Sequence, residues 1–209
     1  MTAISREVGG SKSVDRTVRS IVMGTLLGDG YVYPNGTLQI DHSVKQHAYV
    51  EWKFERLQAV VGRPPSLVTR THPKSGKRSE SVRFYTRAIF RNERQAFYSR
   101  GVKCVPIDIG NWLDPLALAV WYMDDGGRGG RSPLGMVWNI APYHPGDREL
   151  LQGVLIDLYG IETTIQSAGR GTHLYIRARS AQRFVDVVGD HIIPSMRYKL
   201  PLDPVTTEA

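Results

Sequence analysis

Two aspartates, Asp29 and Asp125, stand where apolar segments give way to glycine, and one interval separates each from a lysine, Lys103 for the first and Lys199 for the second. Asp29 follows Gly24-Thr25-Leu26-Leu27-Gly28, and Asp125 follows Val120-Trp121-Tyr122-Met123-Asp124. Two carboxylates brought together repel each other, and the proton affinity of one rises unless cations intervene. Carboxylate oxygens suit Mg²⁺, which keeps several waters and binds through one or two carboxylates plus substrate phosphates. Such an ion activates water and stabilises the leaving oxygen in phosphodiester hydrolysis. A lysine beside it can polarise the water or offset charge in the transition state. An acid at a helix C-terminus opposes the helix dipole. Making that unfavourable placement twice calls for a function.

The acids can meet only if the segments before them are helices packed side by side. Over residues 14–27, Val14, Val18, Ile21, Val22, Thr25 and Leu26 fall near helical spacing, with Ser13 or Asp15 as the cap. Asp114-Pro115 opens the second helix, Asp as cap and Pro at the first helical position, and residues 116–123 are almost continuously apolar. Gly24, Thr25, Ala117 and Ala119 are small enough to let two such helices approach closely.

The same order of elements follows each helix. In the first half a strand covers 38–41. A helix then covers 45–61, with Ala48, Trp52, Leu57 and Val61 on one stripe. Strands at 67–72 and 81–87 flank Pro73-Lys74-Ser75-Gly76-Lys77-Arg78, and a helix covers 90–98. In the second half a strand covers 137–141 and a helix 147–159, with Leu150, Leu151, Val154, Leu155 and Leu158 apolar. Strands at 161–167 and 172–179 flank Gly169-Arg170-Gly171, and a helix covers 181–192. A fourth strand per half would have to come from 31–33 and 128–135. The repeat predicts duplication about a pseudo-twofold axis. The boundaries are a flexible segment at 1–13, halves at 14–111 and 112–202, and a flexible tail at 203–209.

Both acid-bearing segments resemble the LAGLIDADG motif, with its acidic eighth position at Asp29 and Asp125. The stretch 116–127 looks like the form in monomeric members encoded by mobile introns, and the resemblance covers residues 17–202. It implies an α+β fold of two pseudo-symmetric αββαββα-like halves. Their antiparallel, saddle-shaped sheets would pack through the two LAGLIDADG helices and straddle double-stranded DNA. The implied activity is that of a monomeric homing endonuclease. It would make a Mg²⁺-dependent double-strand break in a long asymmetric target, leaving short 3′ overhangs, with Mn²⁺ as a substitute metal. Asp29, Asp125, Lys103 and Lys199 would be catalytic. The carbonyls of Gly28 and Asp124 would join the two carboxylates as metal ligands. The Asp124 side chain has no assigned role, because the matching residue is Gly28. An RNA maturase acting on intron RNA shares this fold, as does an inactive DNA-binding regulator; the two retained acids favour the nuclease. No nucleophile domain or C-terminal His-Asn pair argues for protein splicing.

Strand alternation supplies the contacts to DNA. In 83–87 the odd positions place Arg83, Tyr85 and Arg87 on one face. In 173–179 they place His173, Tyr175, Arg177 and Arg179 opposite Leu174, Ile176 and Ala178. Gln39 and Asp41 share a face, as do Val68, Arg70 and His72, and also Thr164 and Gln166. Such ribbons fit the major groove, where Arg reads guanine and Gln reads adenine. Lys74, Lys77, Arg78 and Arg170, at the hairpin tips, are expected to meet phosphates. The composition agrees: formal charge is +7 and sequence pI about 9.6, a balance that favours polyanions. With 41% hydrophobic residues the chain can bury a core. A single cysteine, Cys104, excludes a disulfide framework and a Cys-based zinc site. No apolar run approaches the roughly 18 residues that span a bilayer, and residues 1–20 carry no secretory signal. An intracellular location follows as an expectation, in a bacterial cytoplasm or a DNA-containing organelle.

Overall fold

Asp15 accepts a hydrogen bond from the Thr17 N–H and so caps α1 (Arg16–Leu27). In the computed structural model, which describes residues 14–129, 134–168 and 171–201, α1 is followed by β1 (Tyr31–Val32), β2 (Thr37–Ser43) and α2 (His47–Arg56). β3 (Ser66–Thr71), β4 (Arg78–Ala88) and α3 (Arg91–Phe97) complete the first half. A short hairpin, β5 (Tyr98–Ser99) and β6 (Val102–Lys103), leads to the second half. There α4 (Pro115–Asp125), β7 (Gly126–Arg128), β8 (Met136–Asn139), α5 (Pro145–Tyr159), β9 (Thr163–Ala168), β10 (Gly171–Ile176) and α6 (Ala181–Val188) repeat the order. Asp114 caps α4 by accepting from the Ala117 N–H, with Pro115 in the first turn. Each half is therefore αββαββα, with one antiparallel sheet ordered β1-β2-β4-β3 or β7-β8-β10-β9.

The halves join through α1 and α4. A methyl group at Gly24 would lie 2.3 Å from the Ala117 carbonyl oxygen, so only glycine permits this approach. Every side chain of α4 from Ala117 to Asp124 is buried. Each fully buried large apolar residue contributes about 1.5–3 kcal/mol, so the helix pair anchors the molecule. It also brings its two C-terminal ends, and their acids, to one place.

Several elements depart from the sequence reading. The helix expected over 45–61 narrows to α2, with 3₁₀ turns at Val44–Gln46 and Gln58–Val60. Its buried side carries Tyr49, Val50 and Lys53 and continues to Leu57; Ala48 is exposed and Trp52 only partly buried. A buried lysine interrupts the apolar stripe and shifts its apparent centre. In α5, Leu151 and Leu155 are buried but Leu158 is exposed. The missing strands are β1 and β7. The latter begins at Gly126, directly at the end of α4, rather than at 128, and residues 130–133 lie outside the described residues. β10 stops at Ile176 and α6 at Val188. The expected flexible segments, 1–13 and 203–209, also lie outside the described residues. Among those described, no helix is long and apolar enough to cross a membrane.

Candidate active site and nucleic-acid interface

The ends of α1 and α4 carry matched constellations. Lys103, on β6, donates from Nζ to the Gly28 carbonyl (2.5 Å) and to that of Gly30 (3.4 Å). Lys199, in the 3₁₀ turn Pro194–Lys199, donates to the carbonyls of Met123 and Asp124, the latter at 3.0 Å. Each lysine thus clamps the main chain one residue before its carboxylate. Tyr143 adds a bond across the halves, its hydroxyl donating to the Leu27 carbonyl at 2.5 Å. Tyr122 donates to the Lys199 carbonyl at 2.7 Å and fixes the second clamp.

The electrostatics are those of a crowded anionic centre. Burial, then Asp29 and Asp124, push the Asp125 carboxyl up to about 7, against the pull of Lys103 and Lys199. Asp29 keeps about half of its side-chain surface open. It is nonetheless raised above the ordinary range, by desolvation and by Asp124, with Lys53, Lys103 and Lys199 opposing. Burial lowers both lysines despite the nearby acids. A cation would relieve this arrangement. The two carboxylates and the carbonyl oxygens of Gly28 and Asp124 form an all-oxygen donor set that fits Mg²⁺. Each carbonyl has two lone pairs, so accepting from a lysine leaves one available. Among the described residues no three His, Cys, Asp or Glu side chains form a metal cage. A metal here would draw its remaining ligands from water and substrate.

The Asp124 side chain does more than the sequence assigned to it. Its Oδ1 accepts from Tyr49 (2.7 Å) and Lys53 (2.7 Å), and its Oδ2 from the Asp29 N–H (3.3 Å). Burial pushes this carboxyl up, but the Lys53 charge and the hydrogen bonds from Lys53 and Tyr49 offset it, leaving it below the ordinary range. His42 lies 3.4 Å from Lys53 Nζ, and its Nδ1 lies 3.6 Å from Asp29 Oδ2. Burial and Lys53 hold His42 down at about 4, so it is neutral at pH 7. A neutral ring that accepts from Lys53 at Nε2 carries its proton at Nδ1, facing Asp29. His42, Lys53 and Asp124 thus close a ring behind the two acids. Gly28 is obligatory there, because a methyl group at that position would lie 2.4 Å from Asp124 Cβ. Sequence reasoning missed His42, Tyr49 and Lys53. The available signals were a histidine on the buried face of a strand and a lysine within an apolar helical stripe.

The family model for the LAGLIDADG DNA endonuclease family matches residues 19–184. The chain belongs to that family. Among curated proteins it is similar to the cytochrome b mRNA maturase bI2 of Debaryomyces hansenii, at 29% identity over 91% of this chain and 76% of that protein. It is also similar to Protein RecA of Mycolicibacterium chitae, at 28% identity over 86% of this chain and 45% of that protein. The chain thus spans less than half the length of that relative. Among solved structures, the homing endonuclease I-WcaI bound to its DNA recognition sequence superposes with a TM-score of 0.82. The identity is 23%, and the match covers 91% of this chain and 88% of that one. Full-length DUF199/WhiA from Thermatoga maritima shares the fold more distantly, with a TM-score of 0.55, 13% identity and coverage of 94% and 64%.

Beside the two LAGLIDADG helices, each sheet turns one face to the core and leaves the other open. In the first sheet Leu38, Ile40, Val82 and Phe84 are buried. The register places Gln39 opposite Tyr85, and Asp41 opposite Arg83, on the other face. Arg70 reaches the same face, where it meets Asp41. In the second sheet Gln166 and His173 are paired, and Tyr175 pairs with Thr164, while Leu174 and Trp138 face inward. Lys74, Lys77 and Arg78 are exposed at the first hairpin tip. Arg170 lies outside the described residues.

Five of the residues expected to contact DNA are engaged within the chain. Asp41 is taken up by two guanidinium groups and is not free to meet a base. His72 accepts from the Ser75 N–H (3.2 Å) and closes the hairpin turn. Arg87 turns to the Ala59 carbonyl. Arg177 and Arg179 lie beyond the end of β10. There the Arg177 N–H donates to the Glu162 carbonyl (2.9 Å), and both guanidinium groups pair with the Glu162 carboxylate. That turn ends the strand and takes both arginines off the expected face.

Proposed function

We propose that this chain is a site-specific homing endonuclease that makes a double-strand break in DNA. The observation that carries this reading is the matched pair of clamped carboxylates: Asp29 with Lys103 on Gly28, and Asp125 with Lys199 on Asp124. Asp29 and Asp125, together with the carbonyls of Gly28 and Asp124, would hold a Mg²⁺ ion, or Mn²⁺ as substitute, which when bound would supply an activated water and charge stabilisation for the leaving 3′ oxygen. Lys103 and Lys199 keep those carbonyls aimed and offset charge on the phosphate. Gln39, Arg70, Arg83, Tyr85, Gln166, His173 and Tyr175 face the major groove, and Lys74, Lys77 and Arg78 meet backbone phosphates. The two open faces differ, so the target is long and not palindromic. Both half-sites lie on one chain, so the working unit is a monomer, and the cut leaves short 3′ overhangs.

The relative named as an mRNA maturase supports a second reading, assistance of intron RNA splicing. The test presents the chain with a randomised duplex DNA library, with Mg²⁺ or with EDTA, and separately with structured group I intron RNA. Metal-dependent enrichment of one cut sequence supports the nuclease. Specific RNA binding without any DNA cutting supports the maturase and overturns it.

A further inference from the structure

Asp41 occupies the middle of the first open face, on β2, opposite Arg83 of β4. Its Oδ2 accepts from Arg83 Nε (3.1 Å) and Nη2 (2.5 Å) and from Arg70 Nη2 (2.5 Å). Its Oδ1 is buried and has no hydrogen-bond partner among the described residues. Both oxygens are therefore out of reach of a base donor. The arginines are braced from their other sides. Arg83 Nη1 donates to the Tyr85 hydroxyl (3.2 Å), and Arg70 Nη1 to Ser81 Oγ (2.9 Å).

A guanidinium has five N–H donors. Three of those on Arg83 are engaged with Asp41 and Tyr85, which leaves two. Two parallel donors are what guanine O6 and N7 accept in the major groove. A lone arginine on an open sheet samples many rotamers and loses that freedom on binding. Here the loss is already taken in the free protein. Two guanidinium charges against one carboxylate also leave the cluster positive, so the phosphate backbone attracts it.

We propose that Asp41 is a specificity-determining positioning residue. It holds Arg83 and Arg70 as one preset unit, and Arg83 reads a guanine in the half-site beneath the first sheet. This rests on the endonuclease reading and deepens it: Asp41 sets base choice without touching a base.

The test is a binding selection on a randomised duplex library at fixed salt, run for wild type, Asp41→Asn, Arg83→Lys and Arg70→Ala. Wild type is expected to select guanine at one position of one half-site. Arg83→Lys keeps the charge and loses the fork, and should lower that preference about tenfold. Asp41→Asn should lower it at the same position by about fivefold. Arg70→Ala should weaken it less. In every variant the unchanged selectivity of the other half-site shows that the protein is folded. If Asp41→Asn alters a base position that Arg83→Lys does not, Asp41 reads directly and the inference is wrong. An unchanged guanine preference in Asp41→Asn overturns it equally, while leaving the endonuclease reading intact. A wild-type chain that enriches no duplex at all overturns both.

Discussion

The polar cluster beneath the first sheet and the aromatic cluster beneath the second solve one packing problem in opposite ways. Through the strand pairing, Tyr31 with Gln39 in the first sheet and Gly127 with Val137 in the second, Trp138 takes the place of Ile40, and the buried Ile140 that of His42. In the first half His42 and Lys53 are buried and reach across to Asp124. In the second, Trp138 stacks on Trp121 (4.9 Å) and packs edge-on against Tyr122 (5.3 Å) and Phe184 (5.1 Å). The cause is Asp124. Its partner position is Gly28, so the carboxylate crosses the helix interface and needs neutralising from the other half. The two halves share the clamps and the acids and differ in the supports behind them.

The contrast breaks first at the two cores. Lys53→Met leaves Asp124 buried without its cation and should cost about 3–5 kcal/mol near pH 8. Trp138→Ala should cost a similar ~3–5 kcal/mol through a cavity. Urea unfolding at two pH values separates them. In wild type the depressed Asp124 carboxyl contributes stability above its unfolded value, lost as pH falls through its folded value. Without Lys53 that carboxyl rises, protonation relieves the burial, and the cost of Lys53→Met should shrink at pH 5. The cost of Trp138→Ala should not change. Equal pH dependence in the two variants would remove the ion pair from the account.

A smaller effect separates support from function. The Asp125 carboxyl sits at about 7 in the folded chain against 3.8 unfolded. Its ionisation therefore lowers stability as pH rises from about 4 to 7, and the cost is fully present above 7. In EDTA, Asp125→Asn should raise stability by roughly 1–2 kcal/mol at pH 8, about 2–8 °C in Tm, and by little at pH 4.5. A destabilised variant at pH 8 would show that Asp125 is structural. The smallest effect lies at the hairpin tip. Lys77→Ala should weaken binding alike on all sequences and reduce the salt slope by about one. A loss confined to one sequence would move Lys77 to the base-reading group.

Local patterns made the fold legible. Asp114 read as a cap, and Asp15 as one of two candidates beside Ser13, because capping is a matter of neighbouring residues, and the alternation at 83–87 assigned both faces of β4 correctly. The paired acids and lysines were legible from motif and interval. The ring of His42, Lys53 and Asp124 was not, since it joins three elements and both halves, and a lysine on a helix reads by default as solvated. The end of β10 was missed for a similar reason: Glu162, before β9, captures Arg177 and Arg179. Composition shows that arginines are present, but only tertiary structure shows which are already engaged.

The central claim is that Asp29 and Asp125 form one centre serving two half-sites. The most direct test is strand-resolved cleavage of a selected duplex target in Mg²⁺ by wild type, Asp29→Asn and Asp125→Asn, with binding measured alongside. The account predicts a double-strand break by wild type, none by either variant, and binding largely retained by both. A double-strand break by either variant, at a rate near that of wild type, would contradict it.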